Sequence, residues 1–288
     1  MVKRTHEMAC EVRHTYSTGD TFTSLLISDL HIDNPKCKRE TLMKDLEKAK
    51  AIGAKIYIFG DLFCLMQGKY DPRSSKHSLR PEHMVHNYID SVIDDTAHLL
   101  APYAHLITVI SDGNHETNIV KRLETDPLER LCEILRTKFG SPVVHLPYMG
   151  FIVHRYEFQK KGSEGEGRTN SRVRSSTWFF SHGHWGGVIS KGTQAASRYS
   201  AMAPQADLIY SGHTHDRNMM ELMRYNINTT GAVKIEPQLY LKGGAYKEEF
   251  ESGGGWAVEK LAMPKNIGGW WVSYTVGVSE EKYSCWMT

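Results

Sequence analysis

Leu25-Leu26-Ile27-Ser28-Asp29-Leu30-His31 is the stretch that decides the reading of this chain. A short apolar run ends in a carboxylate and, two residues on, an imidazole. The pattern returns along the sequence. Ile56-Tyr57-Ile58-Phe59 runs into Gly60-Asp61, and Leu106-Ile107-Thr108-Val109-Ile110 leads to Gly113-Asn114-His115-Glu116. Trp178-Phe179-Phe180-Ser181 ends at His182, and Leu208-Ile209-Tyr210-Ser211 at Gly212-His213-Thr214-His215. Runs of this length, rich in β-branched and aromatic residues, are what fully buried strands look like. Open sheets of α/β proteins build their sites at the carboxyl ends of strands. Asp, His and Asn gathered there form a mixed oxygen and nitrogen donor set suited to divalent transition metals.

Composition bounds the alternatives. The 288 residues suit one large domain or two small ones, and 40% hydrophobic residues suffice for a real core. A formal net charge of +2 provides no global field that would draw the protein onto nucleic acid or a membrane, although a local basic groove stays open. No apolar run is long enough for a membrane span, and the polar start Met1-Val2-Lys3-Arg4 does not read as a secretory signal. The cysteines (Cys10, Cys37, Cys64, Cys132, Cys285) are odd in number and scattered, with no C-x-x-C pair, which fits a reduced cytoplasmic protein.

Between the runs, helical periodicity appears from Lys38 to Lys50, with Gly53 as a stop, and from Met84 to Leu100. Asp126-Pro127 opens another helix that Gly140 ends. Val143-Val144 and Phe151 to Phe158 read as strands, as do Leu239-Tyr240-Leu241, Trp256-Ala257-Val258 and Trp270 to Tyr274. Alternation of strand and helix in the first half predicts parallel pairing, and the later β-rich stretch a second, more antiparallel sheet. Residues 1–20 read as a loosely ordered or edge segment, and 64–82 and 159–176 as loop insertions near the site. No composition break divides the chain, so residues 1–288 are expected to form a single domain.

A pair of ions roughly 3.5–4 Å apart needs a carboxylate to bridge them and further ligands on each. Asp29-x-His31 puts a carboxylate and an imidazole two residues apart, sharing a side if the backbone is extended. His213-x-His215 does the same with two imidazoles, Asp61 is placed to bridge, and Asn114 and His182 add a carbonyl oxygen and an imidazole. The glycines before Asp61, Asn114 and His213 allow sharp turns and close approach. Any one motif alone is more often a turn with surface histidines; all of them in order, each at a strand end, are not.

This order, D-x-H, G-D, G-N-H-E, H and G-H-x-H over residues 29–215, resembles the calcineurin-like metallophosphoesterase family. In the paired His213 and His215, and in lacking the protein-phosphatase arginine of the G-N-H-E element, it is similar to the nuclease-type branch with its phage and bacterial relatives. The resemblance implies an α/β, four-layer αββα sandwich, with two mixed β-sheets packed face to face and flanked by helices. It implies two divalent metal ions, Mn first, with Fe, Zn, Ni or Mg as alternatives. Asp29, His31, Asp61 and His215 are then implied to hold one ion, and Asp61, Asn114, His182 and His213 the other. The implied chemistry is in-line attack on phosphorus by hydroxide generated at the ions, with His115 near the leaving group as proton donor or phosphate contact.

One position departs from the pattern. Family members often carry Asp or His where Gly60-Asp61-Leu62-Phe63 is followed by Cys64, a poor acceptor for orienting the catalytic imidazole. Either Asp71, Asp33 or Glu116 holds His115, or the proton-donating step is weakened. His184 competes with His182 as ligand, the family spacing favouring His182, and is otherwise a substrate contact. Lys69 and Arg73 are candidate substrate contacts in a cationic rim, against a plain reading as solvated loop charge. The expected substrate is a phosphodiester of nucleic acid (DNA) or a nucleotide. A phosphomonoesterase and a non-catalytic metal-binding scaffold are the alternatives, and no membrane partner is expected.

Overall fold

The computed structural model describes residues 1–17, 19–66, 79–159, 173–184, 193–227, 230–250, 258, 263–276 and 283–288. Each apolar run ending in a metal-binding side chain is a strand. They are β3 (Thr21–Ile27), β4 (Lys55–Phe59), β5 (Ile107–Ser111), β8 (Val173–Ser181) and β9 (Leu208–Ser211). β3, β4 and β5 are parallel neighbours in one sheet, and β8 and β9 are parallel neighbours in the other.

The first of these sheets continues with β6 (Val144–Leu146) beyond β5, and with β12 (Trp270–Thr275) and β13 (Tyr283–Met287) antiparallel beside β3. The second adds β1 (Val2–His6), β2 (Ala9–Tyr16) and β7 (Met149–Phe158) on one side. On its other side lie β10 (Asn218–Ile227) and β11 (Val233–Lys242), giving the order β1-β2-β7-β8-β9-β11-β10. Both sheets are therefore mixed. The late strands do not form a sheet of their own, as the sequence pattern suggests. β12 and β13 extend the early sheet because β12 is hydrogen-bonded to β3, 250 residues away in sequence at the Thr23–Ser273 side-chain contact. Strand type is local, but partner choice is not.

Alternation within strands sorts the core into layers. Leu26, Tyr57, Phe59 and Val109 of one sheet meet Trp178, Phe180, Leu208 and Tyr210 of the other in a shared inner cluster. The opposite faces of β3, β4 and β5 (Leu25, Ile27, Ile56, Ile58, Ile107 and Ile110) are covered by helices. These are α1 (Arg39–Ile52), α2 (Tyr88–Leu100) and α4 (Pro127–Phe139). Phe179, Ile209 and Tyr240 on the outer face of the second sheet pack against Ala196, Tyr199 and Ala203 of the α5 (Thr193–Met202) region. The four layers are thus helix, sheet, sheet and helix.

α1 stops at Gly53, whose φ of 66° is the left-handed cap expected of it. α4 starts where Asp126 accepts the Glu129 N–H and stops at Gly140. α2 begins at Tyr88, after a 3-10 turn at Pro81–His83, rather than at Met84. The segment read as loosely ordered or edge is the strand pair β1 and β2. β2 buries Cys10 and Val12 in the inner core, while β1 is an edge strand with mostly exposed side chains. Of the two insertions, residues 67–78 and 160–172 lie outside the described residues, and 173–176 belong to β8. Trp256 and Ala257 also lie outside them. All five cysteines are free, and no helix among the described residues is long and apolar enough to cross a membrane.

Candidate metal centre

At the carboxyl ends of β3, β4, β5, β8 and β9 the chain makes tight turns that are stitched to one another. Asp29 N–H donates to Gly60 C=O at 3.0 Å, His31 N–H to Asp61 C=O at 3.1 Å, and Gly212 N–H to His182 C=O at 2.9 Å. Asp29, His31, Asp61, His213 and His215 all sit at left-handed φ, 55°, 46°, 48°, 71° and 56° respectively. The D-x-H and H-x-H pairs are therefore not extended, as the spacing suggests. Asp and His tolerate this region better than most residues, and such strain gathers at functional sites.

Two donor sets result, each with its ligand atoms within 4.8 Å of one another: Asp29, His31 and His215, and Asp61, His182 and His213. Asn114, the first residue of α3 (Asn114–Leu123), joins the second. Its Oδ1 lies 2.7 Å from His213 Nδ1 and 3.2 Å from His182 Nε2. His182 Nε2 is 3.1 Å from Asp61 Oδ2 and 3.8 Å from Asp29 Oδ1, so the two sets adjoin. His215 Nε2 is 3.4 Å from both Asp29 Oδ1 and His31 Nε2.

The electrostatics suit cations. Burial by itself raises the Asp29 and Asp61 carboxyls, yet His182 above all holds both below their ordinary range. Burial depresses His182, but Asp61 and Asp29 outweigh it and lift it to about 10. Burial and the neighbouring His182 bring His213 down to about 4, leaving it a neutral ligand-type imidazole. Convergent carboxylate oxygens and imidazole nitrogens are a donor set that fits two divalent ions.

Gly113 shows how close the packing is. A Cβ there would stand 2.1 Å from Asp61 Oδ1 and 2.2 Å from the Asp61 nitrogen. Gly113→Ala is expected to displace Asp61 and lower metal uptake, read by elemental analysis. Gly53→Ala is the control. Its site is open, so it costs only left-handed strain, ~1 kcal/mol, and leaves metal content intact. Equal metal content in the two variants would refute the steric argument.

His115 is held in a way the residue types do not announce. Its Nδ1 is 2.5 Å from the backbone carbonyl of Cys64. A carbonyl only accepts, so Nδ1 carries the proton and Nε2 faces the site, 3.8 Å from Asp61 Oδ2. The Cys64 thiol is not the orienting group, and burial pushes it up to about 12. Asp33 acts one step behind, accepting the Cys64 N–H at 2.5 Å, the Leu65 N–H at 2.9 Å and the Tyr88 hydroxyl at 2.8 Å. Glu116 instead ties the turns after β4 and β5 together by accepting the N–H groups of Asp61, Phe63 and Gly113. Asp71 lies outside the described residues.

His182, not His184, enters the donor sets among the described residues: His182 is buried and His184 exposed. Lys69 and Arg73 lie outside the described residues, as do Tyr70 and Trp185. Two site residues escape the sequence reading. Glu249 Oε2 is 3.5 Å from His215 Nδ1, and Lys247 Nζ is 3.0 Å from Glu249 Oε1. The available signal was Gly243-Gly244 directly after a strand-like run. β11 lies parallel to β9 with Lys242 opposite Ser211, so the chain leaves β11 at the edge where His213 stands.

A family model for calcineurin-like phosphoesterases matches residues 22–217. No curated protein matches the chain. Among solved structures, a metallophosphoesterase from Sphaerobacter thermophilus aligns at 16% identity and a TM-score of 0.39, covering 93% of this chain and 88% of that one. A conserved uncharacterized protein of Streptococcus pneumoniae, described as a predicted phosphoesterase, aligns at 11% and 0.34, covering 93% and 99%. Vps29 of Entamoeba histolytica complexed with zinc aligns at 12% and 0.35, covering 93% and 98%.

Proposed function

This chain belongs to the calcineurin-like phosphoesterase family, hydrolases of ester bonds, and from that premise we propose that it is a two-metal phosphodiesterase acting on nucleic acid or nucleotides. The observation that carries the metal chemistry is the convergence of Asp29, His31 and His215 beside Asp61, His182 and His213. Asp29, His31, Asp61 and His215 would hold one ion, and Asp61, Asn114, His182 and His213 the other. When bound, such a pair neutralises charge on a phosphoryl oxygen and acidifies water. Manganese is the ion to try first. Residues 1–288 are read as one phosphoesterase domain of a reduced, cytoplasmic protein, a reading the free cysteines support.

The chain's own part is orientation and proton handling. The left-handed turns hold the ligands before substrate arrives, so little reorganisation is left for the reaction. With His115 Nδ1–H committed to the Cys64 carbonyl, Nε2 is the position that carries a proton to the departing alkoxide. That commitment favours an enzyme over a scaffold, which has no use for a fixed tautomer. The choice of diester is supported by the paired His213 and His215.

A substrate panel tests it: bis-p-nitrophenyl phosphate, p-nitrophenyl phosphate, a cyclic nucleotide, and single- and double-stranded DNA, each with Mn²⁺. The expected outcome is a higher kcat/KM for a diester than for the monoester. A monoester turned over faster than every diester makes the protein a phosphomonoesterase. Turnover of none, with metal bound, leaves the scaffold.

A further inference from the structure

Lys247 is delivered to the metal centre by a backbone pinned on both sides. The Tyr246 N–H donates to the Asp29 carbonyl at 3.0 Å, the Lys38 N–H to the Tyr246 carbonyl at 2.8 Å, and the Glu248 N–H to the Lys36 carbonyl at 2.9 Å. Cys37 and Lys247 form a β-bridge, and the Tyr246 hydroxyl donates to Asp45 at 2.6 Å. The Lys247 side chain is only 15% exposed, and it lines a small cavity together with His215 and Glu249. Its charge is felt by His31, Cys64 and Asp61. The Tyr246 bond to the Asp29 carbonyl sets this backbone beside the turn that carries His31, and His31 groups with Cys64 and His115.

An ammonium beside ligands for two cations is unfavourable unless anions accompany it. Glu249 supplies one, and its second oxygen faces the outer nitrogen of His215. A carboxylate behind a metal-ligating imidazole fixes the ring and strengthens it as a ligand. Lysine has three donors, and Glu249 takes one of them. A phosphoryl group is the anion this chemistry calls for.

We propose that Lys247 binds a non-bridging oxygen of the substrate's phosphoryl group, with Glu249 as the positioning residue that sets both Lys247 and the His215 ring. The proposal rests on the phosphoesterase reading above and adds a substrate contact outside the G-N-H-E and G-H-x-H elements.

Two titrations on the full chain test it, Mn²⁺ into metal-depleted protein and inorganic phosphate into the Mn²⁺-loaded protein. Lys247→Met is expected to weaken phosphate about tenfold or more, with an unchanged Mn²⁺ isotherm, and Lys247→Arg to keep most of the affinity. Glu249→Gln is expected to weaken Mn²⁺ by about 10- to 100-fold. Lys247→Gln is read beside Lys247→Met so that a poorly folded variant does not decide the result. Phosphate affinity equal to the parent's in either neutral variant overturns the proposal, as does a loss of Mn²⁺ matching the loss of phosphate. A parent protein that takes up no Mn²⁺ overturns the metal-dependent reading itself.

Discussion

Asp61→Asn is expected to reduce kcat/KM by about three orders of magnitude and to leave the protein unable to hold two ions. The side chain is buried, and its oxygens are already committed. Oδ1 accepts the His115 N–H at 3.0 Å, and Oδ2 is 3.1 Å from His182 Nε2. Its charge is also felt by Asp29 and His31, in the neighbouring donor set. An amide keeps the shape but removes the negative charge and turns one acceptor into a donor. The fold should survive, so thermal melting near the parent's separates this loss from unfolding. Elemental analysis and kinetics read the result. A variant that retains two ions and turns over substrate like the parent would show that Asp61 is not a shared ligand.

His115→Ala should lower kcat by about 10²- to 10⁴-fold while metal uptake stays at the parent's level. Metal is spared because the backbone N–H of residue 115, not the imidazole, meets Asp61 Oδ1, and alanine keeps that N–H. The discriminating readout is leaving-group dependence. A p-nitrophenolate leaves without help, so the deficit should shrink for that ester and be largest for an alkoxide. Asp33→Asn should reproduce a weaker form of the defect, because Asp33 holds the Cys64 and Leu65 N–H groups behind the carbonyl that fixes His115. A deficit independent of the leaving group would assign His115 to phosphate binding instead of proton transfer.

Much of the candidate centre was legible in the sequence because its donor residues obey two local rules. Each follows a short apolar run, and several follow a glycine. Gly60, Gly113 and Gly212 are needed where they stand, since a Cβ at each would meet His182, Asp61 or Asp29 respectively. Strand placement was legible for the same reason: inner and outer residues of β3, β4, β8 and β9 alternate, and each run is short.

Other elements were not. α3 starts within the G-N-H-E motif itself, and its few buried side chains, His115, Glu116 and Ile119, leave no apolar stripe to read. α5 packs small residues, Ala196 and Ala203 at its end, where bulk and periodicity are weak. β1 looks polar because it is an edge strand, and β2 because Glu11 and His14 occupy buried positions in it.

The sequence by itself determined that Asp29, His31, Asp61, Asn114, His182, His213 and His215 follow strand-forming runs, the layered α/β class and the donor atoms gathered there. Those follow from residue type and spacing, which are properties of neighbours along the chain. Only the tertiary structure decided that β12 and β13 extend the early sheet, that the Cys64 carbonyl and not a side chain holds His115, and that Glu249 stands behind His215 with Lys247 paired to it. A backbone carbonyl has no residue identity to read. A contact between residues 215 and 249 exists only because β11 lies parallel to β9 and releases its chain at the same edge of the sheet.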